Sequence, residues 1–405
     1  MNSIKLLAGR LRHGFRSETS WRSAAAVPRR TGRRYAVSLM AAGLLLGCSG
    51  PMPKRFGTST AMADQLPRVD LYTPRLSPDG TTILFTFRYG GLPHKLAMAP
   101  AEPADARISI LPAPPTVNWR HPTWAPDGNH FAATSYCEDG ACYEGATGYN
   151  VWRFSIRPGP NNLRRLTPNR AGIVRSYPFF GRDADDIYWV LSAEGRSDNP
   201  LSDLSRRVVA RLSDGRETIL LPDDAEFFQN GRIMSAKATF DTLVPAQGFG
   251  GGALYFVART ISGTLPATRA AVAAKLRNEP ALFRWRGGDT LELARDTRVI
   301  AVDAQRSGSG YVTASRVPNF ASRPVEFHVV RDGVAELRLS FAQGSVSHVS
   351  TSESMDTIVF SSFRRVGEPW RFWVHRKGMD QAVELDIAER LRREVARQID
   401  LERSR

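Results

Sequence analysis

Two of the three cysteines stand close enough in sequence to react with one another. Cys137 and Cys142 lie in YCEDGACY, with Asp139-Gly140 between them. Asp-Gly is a tight-turn dipeptide, so the chain can fold back and bring the sulfurs together. In an oxidising compartment this spacing predicts a disulfide, contributing about 2 kcal/mol because so short a loop removes little chain entropy. The rival chemistry is half a metal site, but no second cysteine pair exists and the nearest histidine is His130. The remaining cysteine, Cys48, closes an apolar run and follows Leu45-Leu46-Gly47.

Other reactive side chains form no compact constellation. A serine nucleophile needs a G-x-S-x-G elbow between a strand and a helix. The nearest string, Ser307-Gly308-Ser309-Gly310, precedes a strand. The glycine cluster Gly248–Gly252 lacks the lysine and following helix of a phosphate loop. Six histidines follow Cys48: His94, His121, His130, His328, His348 and His375. None pairs with another at helical i, i+4 spacing across a carboxylate. His121 and His348 occupy similar places beside the first strand of two repeats. With Glu326 and neighbouring carboxylates they are the candidates for a metal-dependent lyase or hydrolase acting on glycans; as scattered strand histidines they are structural. The acidic groups Asp183, Asp185, Asp186 and Asp223, Asp224, Glu226 lack the alternating ligands and central glycine of a calcium loop, and read as turn surface. No metal or cofactor is expected, and no catalytic residue is assigned.

The N-terminal region carries the sharpest single signal. Arg29, Arg30, Arg33 and Arg34 form a basic block, and Tyr35 to Gly47 is a 13-residue apolar run ending at Cys48. That run is too short to span a bilayer but suits the core of an export signal. The Leu45-Leu46-Gly47-Cys48 ending resembles the bacterial lipobox. There the thiol accepts a diacylglycerol, the chain is cut before it, and the new terminus is acylated. Two or more acyl chains give stable anchoring without a transmembrane helix. Arg33-Arg34 reads as an ordinary basic flank rather than a twin-arginine signal. Residues 1–26 are long for a leader, which predicts translation starting near Val27. The expected organisation is therefore a signal peptide over 1–47, a tether over 48–69 and a folded body beyond.

The elements that position any site come from internal repetition. PRLSPDG at 74–80 is followed by TTILFTF, and PTWAPDG at 122–128 by NHFAATS. Degenerate copies begin at Pro178 and His348. In each, a short apolar strand meets a Pro-Asp-Gly type turn, where proline presets φ and glycine accepts positive φ. Pro78, Asp79, Gly80, Pro126, Asp127 and Gly128 are thus structural turn residues. Strands such as Val151–Ile156 and Leu163–Thr167 complete a four-stranded unit. Units recur at roughly 70–112, 118–168, 174–222, 230–295, 297–342 and 345–386, the fourth and fifth without the turn motif. Four strands per unit at this spacing predict an all-β, six-bladed β-propeller of four-stranded antiparallel blades over 70–386.

The units PRLSPDGTTILFTF and PTWAPDGNHFAATS resemble the WD40-like repeats of TolB-type propellers. The resemblance covers about 70–386, clearly for two repeats, and implies the fold more than any function. TolB itself carries an N-terminal α/β domain, for which the stretch after Cys48 is too short.

Two helices interrupt the β pattern. Residues 265–278 are alanine-rich, with Pro266 suited to a first helical turn, and read as a cap over one face. Over 387–405, Asp386 and Glu389 make a capping-box start, and Ile387, Leu391, Val395 and Ile399 form one narrow apolar stripe. Such a helix packs back on its own domain or is offered to a partner. The net charge of +15 suggests nucleic acid at first sight, but nine basic residues against one acidic in 1–47 account for +8 of it. The rest is spread thinly, which serves solubility and speaks against nucleic acid. The expected protein is a monomeric lipid-anchored scaffold, in the cell envelope and preferably on the outer membrane facing the periplasm. It would bind the membrane through Cys48 and a protein or polymer of the envelope through its loops.

Overall fold

The computed structural model describes residues 68–403 apart from 104–106, 113–116, 138–144, 146–147, 158–161, 171, 194–205, 212–216, 222–225, 230–231, 251, 263–279, 287–289, 296–297, 307, 309, 317–323 and 366. The chain divides into two units, Met1–Ser59 and Thr60–Arg405, and all described residues belong to the second. The expected export segment, Cys48, Cys142 and the helix at 265–278 lie outside them.

The body is built almost wholly of short antiparallel strands. The first sheet runs β1 (Val69–Leu76), β2 (Thr82–Tyr89), β3 (Lys95–Pro100), β4 (Ser109–Ile110). The second runs β5 (Asn118–Trp124), β6 (His130–Cys137), β7 (Gly148–Ser155), β8 (Leu163–Arg165). Two more of the same plan close the sequence. One is β18 (Val299–Ala304), β19 (Tyr311–Arg316), β20 (Val325–Arg331), β21 (Val334–Phe341), and the other β22 (Ser345–Thr351), β23 (Thr357–Phe363), β24 (Arg371–Arg376), β25 (Val383–Leu385).

The middle departs from the simple repeat. There β9 (Ile173–Phe180), β10 (Ile187–Ala193), β11 (Arg206–Arg211) and β12 (Glu217–Leu221) follow the common order. The next unit has β14 (Arg232–Gly250), β15 (Ala253–Ser262), β16 (Ala281–Trp285) and β17 (Thr290–Arg295), plus an added strand β13 (Glu226–Gln229). That strand pairs antiparallel with the start of β14 and parallel with β17. A single parallel pairing, Gly248 with Phe180, fuses the two units into one nine-stranded sheet. Glycine has no side chain to hold the two backbones apart.

Each sheet is too thin to bury its own apolar faces, so the core lies between sheets. Leu84 and Leu96 of the first sheet pack against Trp119, Trp124 and Phe131 of the second. Ala132 and Val151 of the second meet Phe180 and Trp189 of the third unit. Tyr255 and Leu282 meet Val299 and Val302, and Phe327 and Phe341 meet Phe360 and Trp373. The first strand of each unit touches the first strand of the next: β1 to β5, β5 to β9, β9 to β14, β14 to β18, β18 to β22. The last also touches the first, β22 to β1. Sheets meeting through their inner strands in this way are the architecture of a β-propeller.

The C-terminal helix α1 (Ile387–Arg403) turns its stripe inward. Ile387 and Leu391 are fully buried, with Val395 beside them, in one cluster with Val69, Phe85, Phe372 and Leu385 of the first and last sheets. Polar bonds follow the same seam: Arg376 Nη2 donates to the Ala101 carbonyl at 3.0 Å, and Arg107 lies 3.6 Å from Glu394. Among the described residues no helix is long and apolar enough to cross a membrane.

Candidate functional site at the inner strands

The turns establish the register that aligns the inner strands. Ser77 N donates to Thr82 O, Ala125 N to His130 O, Gly181 N to Asp186 O, Gln305 N to Gly310 O and Ser352 N to Thr357 O. Counting back from this closure puts Thr73, His121, Tyr177 and His348 at one position of four different strands. Thr73, His121 and Tyr177 have φ of 49°, 50° and 48°, and each precedes a proline. Proline disfavours the right-handed α region for the residue before it, and a β-bulge takes up the extra residue. The ladder slips there, between Tyr72 and Arg75 and between Arg120 and Thr123. The His121 and Tyr177 rings consequently meet with centroids 4.0 Å apart.

Two positions further on, side chains from three sheets converge. Asp303, fully buried on β18, accepts from Thr351 N at 2.9 Å and Ser350 Oγ at 3.2 Å through Oδ2, and from Ala304 N at 3.0 Å through Oδ1. Ser350 Oγ in turn accepts from Leu76 N at 2.8 Å. Asp303 therefore ties β18 to β22, and Ser350 ties β22 to β1. Arg75 sits within electrostatic reach of Asp303, Tyr177 and Arg306, that is, of β1, β9 and the end of β18 together. Burial pulls its pKa down, and Asp303 opposes that pull.

His348 is held neutral at this place. Burial first, and the Arg75 guanidinium second, push its pKa down to about 3. Its Nδ1 lies 3.4 Å from Ser361 Oγ. Such an imidazole offers a lone pair or an N–H to a ligand, but no charge.

A second polar group occupies the rim where β1 and β5 begin. Asp70 binds Arg68 at 2.6 Å and Arg88 at 3.3 Å. The rings of Tyr72 and His94 stack at 4.7 Å, and His94 N donates to Asn118 Oδ1 at 2.8 Å. Burial, then Arg120 and Arg88, lowers His94 to about 4. Neither this rim nor the Arg75–Asp303 group was legible in the sequence. Their members are one per strand and share no local motif, and only alignment of every inner strand on its turn could have found them.

The residues singled out in the sequence fall as follows. Asp79 Oδ1 accepts from Ser77 Oγ and from Thr81 N at 3.1 Å, within its own turn. Although burial opposes it, these bonds hold its carboxyl below the usual range. Asp127 accepts from Asn129 N at 2.9 Å and His130 N at 3.1 Å. Gly80 and Gly128 take φ of 78° and 64°. Pro78, Asp79, Pro126, Asp127 and Gly128 together line a cleft of about 360 Å³ between the first two sheets. Cys137 is buried at the end of β6, 4% exposed. Glu326 and His328 share β20, 3.8 Å apart, away from the inner strands that carry His121 and His348. Among the described residues no group of three or more His, Cys, Asp or Glu side chains could hold a metal ion.

No family model matches the sequence, and no curated protein matches it. Solved structures do share its outline. The chain is similar to TolB from Acinetobacter baumannii, at 11% identity and a TM-score of 0.45, over 78% of this chain and 65% of that one. It is similar to the acylaminoacyl peptidase of Pyrococcus horikoshii, at 14% identity and a TM-score of 0.43, over 80% of this chain and 46% of that one. The oligogalacturonate lyase of Vibrio parahaemolyticus matches at 9% identity with a TM-score of 0.46, over 79% and 78%. The chain thus spans just under two thirds of the TolB chain and less than half of the peptidase. At such identities the likeness concerns the fold alone.

Proposed function

We propose that this chain is a lipid-anchored protein of the cell envelope, a closed six-bladed propeller tethered through Cys48 that holds a protein or polymer partner. The single observation that carries the reading is the N-terminal order of basic block, 13-residue apolar run and Leu45-Leu46-Gly47-Cys48. The six-bladed ring is supported by the inner-strand contacts that run from β1 round to β22 and back. Export also suits a Cys137–Cys142 disulfide, since the pair needs an oxidising compartment. The rim residues Tyr72, His94 and Arg120 and the loops around them are the surface assigned to the partner. No catalytic residue is needed for this role.

The test is metabolic labelling with palmitate, followed by membrane fractionation, of the wild type and Cys48→Ser. The wild type should carry label and pellet with outer membranes; the variant should lose both. Pull-down of the lipidated protein from envelope extracts should then recover one stable partner. Equal labelling of the variant refutes the anchor. Turnover of an envelope polymer with no stable partner refutes the scaffold.

A further inference from the structure

Only the first two sheets carry the full Pro-Asp-Gly turn, at 78–80 and 126–128. Those turns stand side by side, since a Cβ on Gly128 would lie 3.9 Å from Pro78 Cδ. The cleft of about 360 Å³ is lined from both of them. Elsewhere the corresponding turns read Gly181-Arg182-Asp183 and Ser352-Glu353-Ser354, so no other pair of sheets sets two Pro-Asp pairs across a cleft.

Part of the lining is apolar. Pro78 and Pro126 belong to it, with Met98 of β3 and Ile156 just past β7. Ile156 is 43% exposed, an aliphatic side chain left facing water. The indole N–H of Trp124 is already given to the Arg75 carbonyl, so that side chain adds ring surface and no free donor.

The rest of the lining is anionic. Asp79 and Asp127 are both exposed. Burial works against their ionisation, but hydrogen bonds from Ser77 and Thr81 hold the Asp79 carboxyl below the usual range, and bonds from His130 and Asn129 do the same for Asp127. Asp79 Oδ2 accepts from the Thr81 hydroxyl at 3.0 Å, and Asp127 Oδ2 meets His130 Nδ1 at 2.6 Å. A carboxylate oxygen can accept two bonds, so each keeps capacity for another donor. Among the described residues no lysine or arginine lines the cleft, and His130 is the one ion-pair partner of either carboxylate.

Apolar surface beside carboxylates that lack a strong cation is the complement of a basic side chain. Lysine and arginine lay an aliphatic stem on apolar surface and keep the charged head among polar groups. A volume of about 360 Å³ is near the lower end of the range of about 300–1,000 Å³ for small-ligand sites, room for one or two side chains and not for a folded surface.

We propose that this cleft is a docking site for an extended segment of a partner protein, which inserts a lysine or arginine next to an apolar residue. The stem lies on Met98, Ile156 and the two prolines, and the cation is held by Asp79 or Asp127. The cleft lies past the ends of β1 and β5, whereas the rim assigned to the scaffold's partner lies where those strands begin. The site therefore goes beyond the scaffold reading and stands whether or not Cys48 is acylated.

Titration of the full chain with the capped peptide acetyl-Gly-Lys-Leu-Lys-Gly-amide, followed by the isotope-labelled methyl resonance of Met98, tests it. The resonance should shift and saturate. Asp79→Asn and Asp127→Asn keep the side-chain acceptor that each turn uses, and should each weaken binding about two- to fivefold, the range of a partly exposed ion pair. Ile156→Lys places a fixed cation in the cleft without touching either turn and should abolish binding, which decides the matter even where the aspartate variants fail to fold. Glu336→Gln, on β21, should leave binding unchanged. A peptide with norleucine for both lysines keeps the stems and drops the charges, and should bind at least about fivefold more weakly. The amine n-butylammonium, a stem and head alone, should bind at least about tenfold more weakly than the peptide. An unmoved Met98 resonance in the wild type overturns the proposal, as does undiminished binding by the norleucine peptide or by Ile156→Lys. Equal affinity for n-butylammonium also overturns it, since the ligand is then a free amine and not a protein segment.

Discussion

Replacing Asp303 by alanine should unfasten β18, β22 and β1 together. The wild-type carboxylate satisfies three donors at 2.9–3.2 Å, two of them on the neighbouring strand β22. Each buried donor left bare costs about 1–3 kcal/mol. Removing one partner of a buried charge group costs about 3–5 kcal/mol as a whole, since Arg75 then loses the carboxylate that opposes its desolvation, while Arg306 keeps Glu353 at 3.7 Å. These contributions overlap, so about 3–5 kcal/mol is the expected loss for Asp303→Ala. Asp303→Asn keeps the shape and one acceptor oxygen and should lose about half as much, as neutral hydrogen bonds are about half as strong as charge-assisted ones. Urea denaturation followed by tryptophan fluorescence reads both, because Trp124 donates its indole N–H to the Arg75 carbonyl at 2.9 Å and reports on the same place. A double-mutant cycle with Ser350→Ala should show coupling of about 0.5–3 kcal/mol. Asp303→Ala within about 1 kcal/mol of the wild type refutes the tie between sheets.

Four further outcomes are expected. His348, with a folded pKa near 3 against an ordinary 6.5, leaves the unfolded chain binding the extra proton between those values. Its contribution to stability is complete above 6.5 and is lost as pH falls toward 3; His348→Gln should flatten the stability profile in that window, and an unaltered slope there counts against the assignment. Gly80→Ala places a Cβ at φ 78° and 3.1 Å from Ser352 Cβ, and should lower stability by about 1–2 kcal/mol in thermal melts; no loss means the turn relaxes freely. Leu391→Ala removes a fully buried side chain from the seam between the first and last sheets, and should cost about 2–5 kcal/mol, whereas truncation at an exposed helix site such as Arg393 should cost little. Mass spectrometry of the non-reduced exported protein should find Cys137 and Cys142 linked, and alkylation of both without prior reduction excludes the bond.

Much of the β architecture was legible because its grammar is local. The turn at Pro78-Asp79-Gly80 closes through bonds between residues two to five apart, and it reads the same at 126–128. The turn between β18 and β19 was hidden: Gln305 and Gly310 make the same closure with no Pro-Asp-Gly, and the Gln305 side-chain oxygen accepts from Gly310 N as the Ser77 hydroxyl accepts from Thr82 N. The added strand β13 and the joining of β9 to β14 in one nine-stranded sheet were not legible either. Both depend on pairing with strands far away in sequence. The C-terminal stripe was plain at 387–395, but a stripe does not say what covers it. Tertiary contact shows that it packs on the first and last sheets.

By itself the sequence determined the repeat, its turns, the apolar run before Cys48 and the amphipathic helix, because each is governed by interactions among near neighbours in the chain. The meeting of Arg75, Asp303, Arg306 and His348 was decided only by tertiary structure. Those residues are separated by more than two hundred positions at their widest, and nothing in their own neighbourhoods marks them. What joins them is that thin sheets must bury both faces against one another, and in doing so they bring their inner strands to one place.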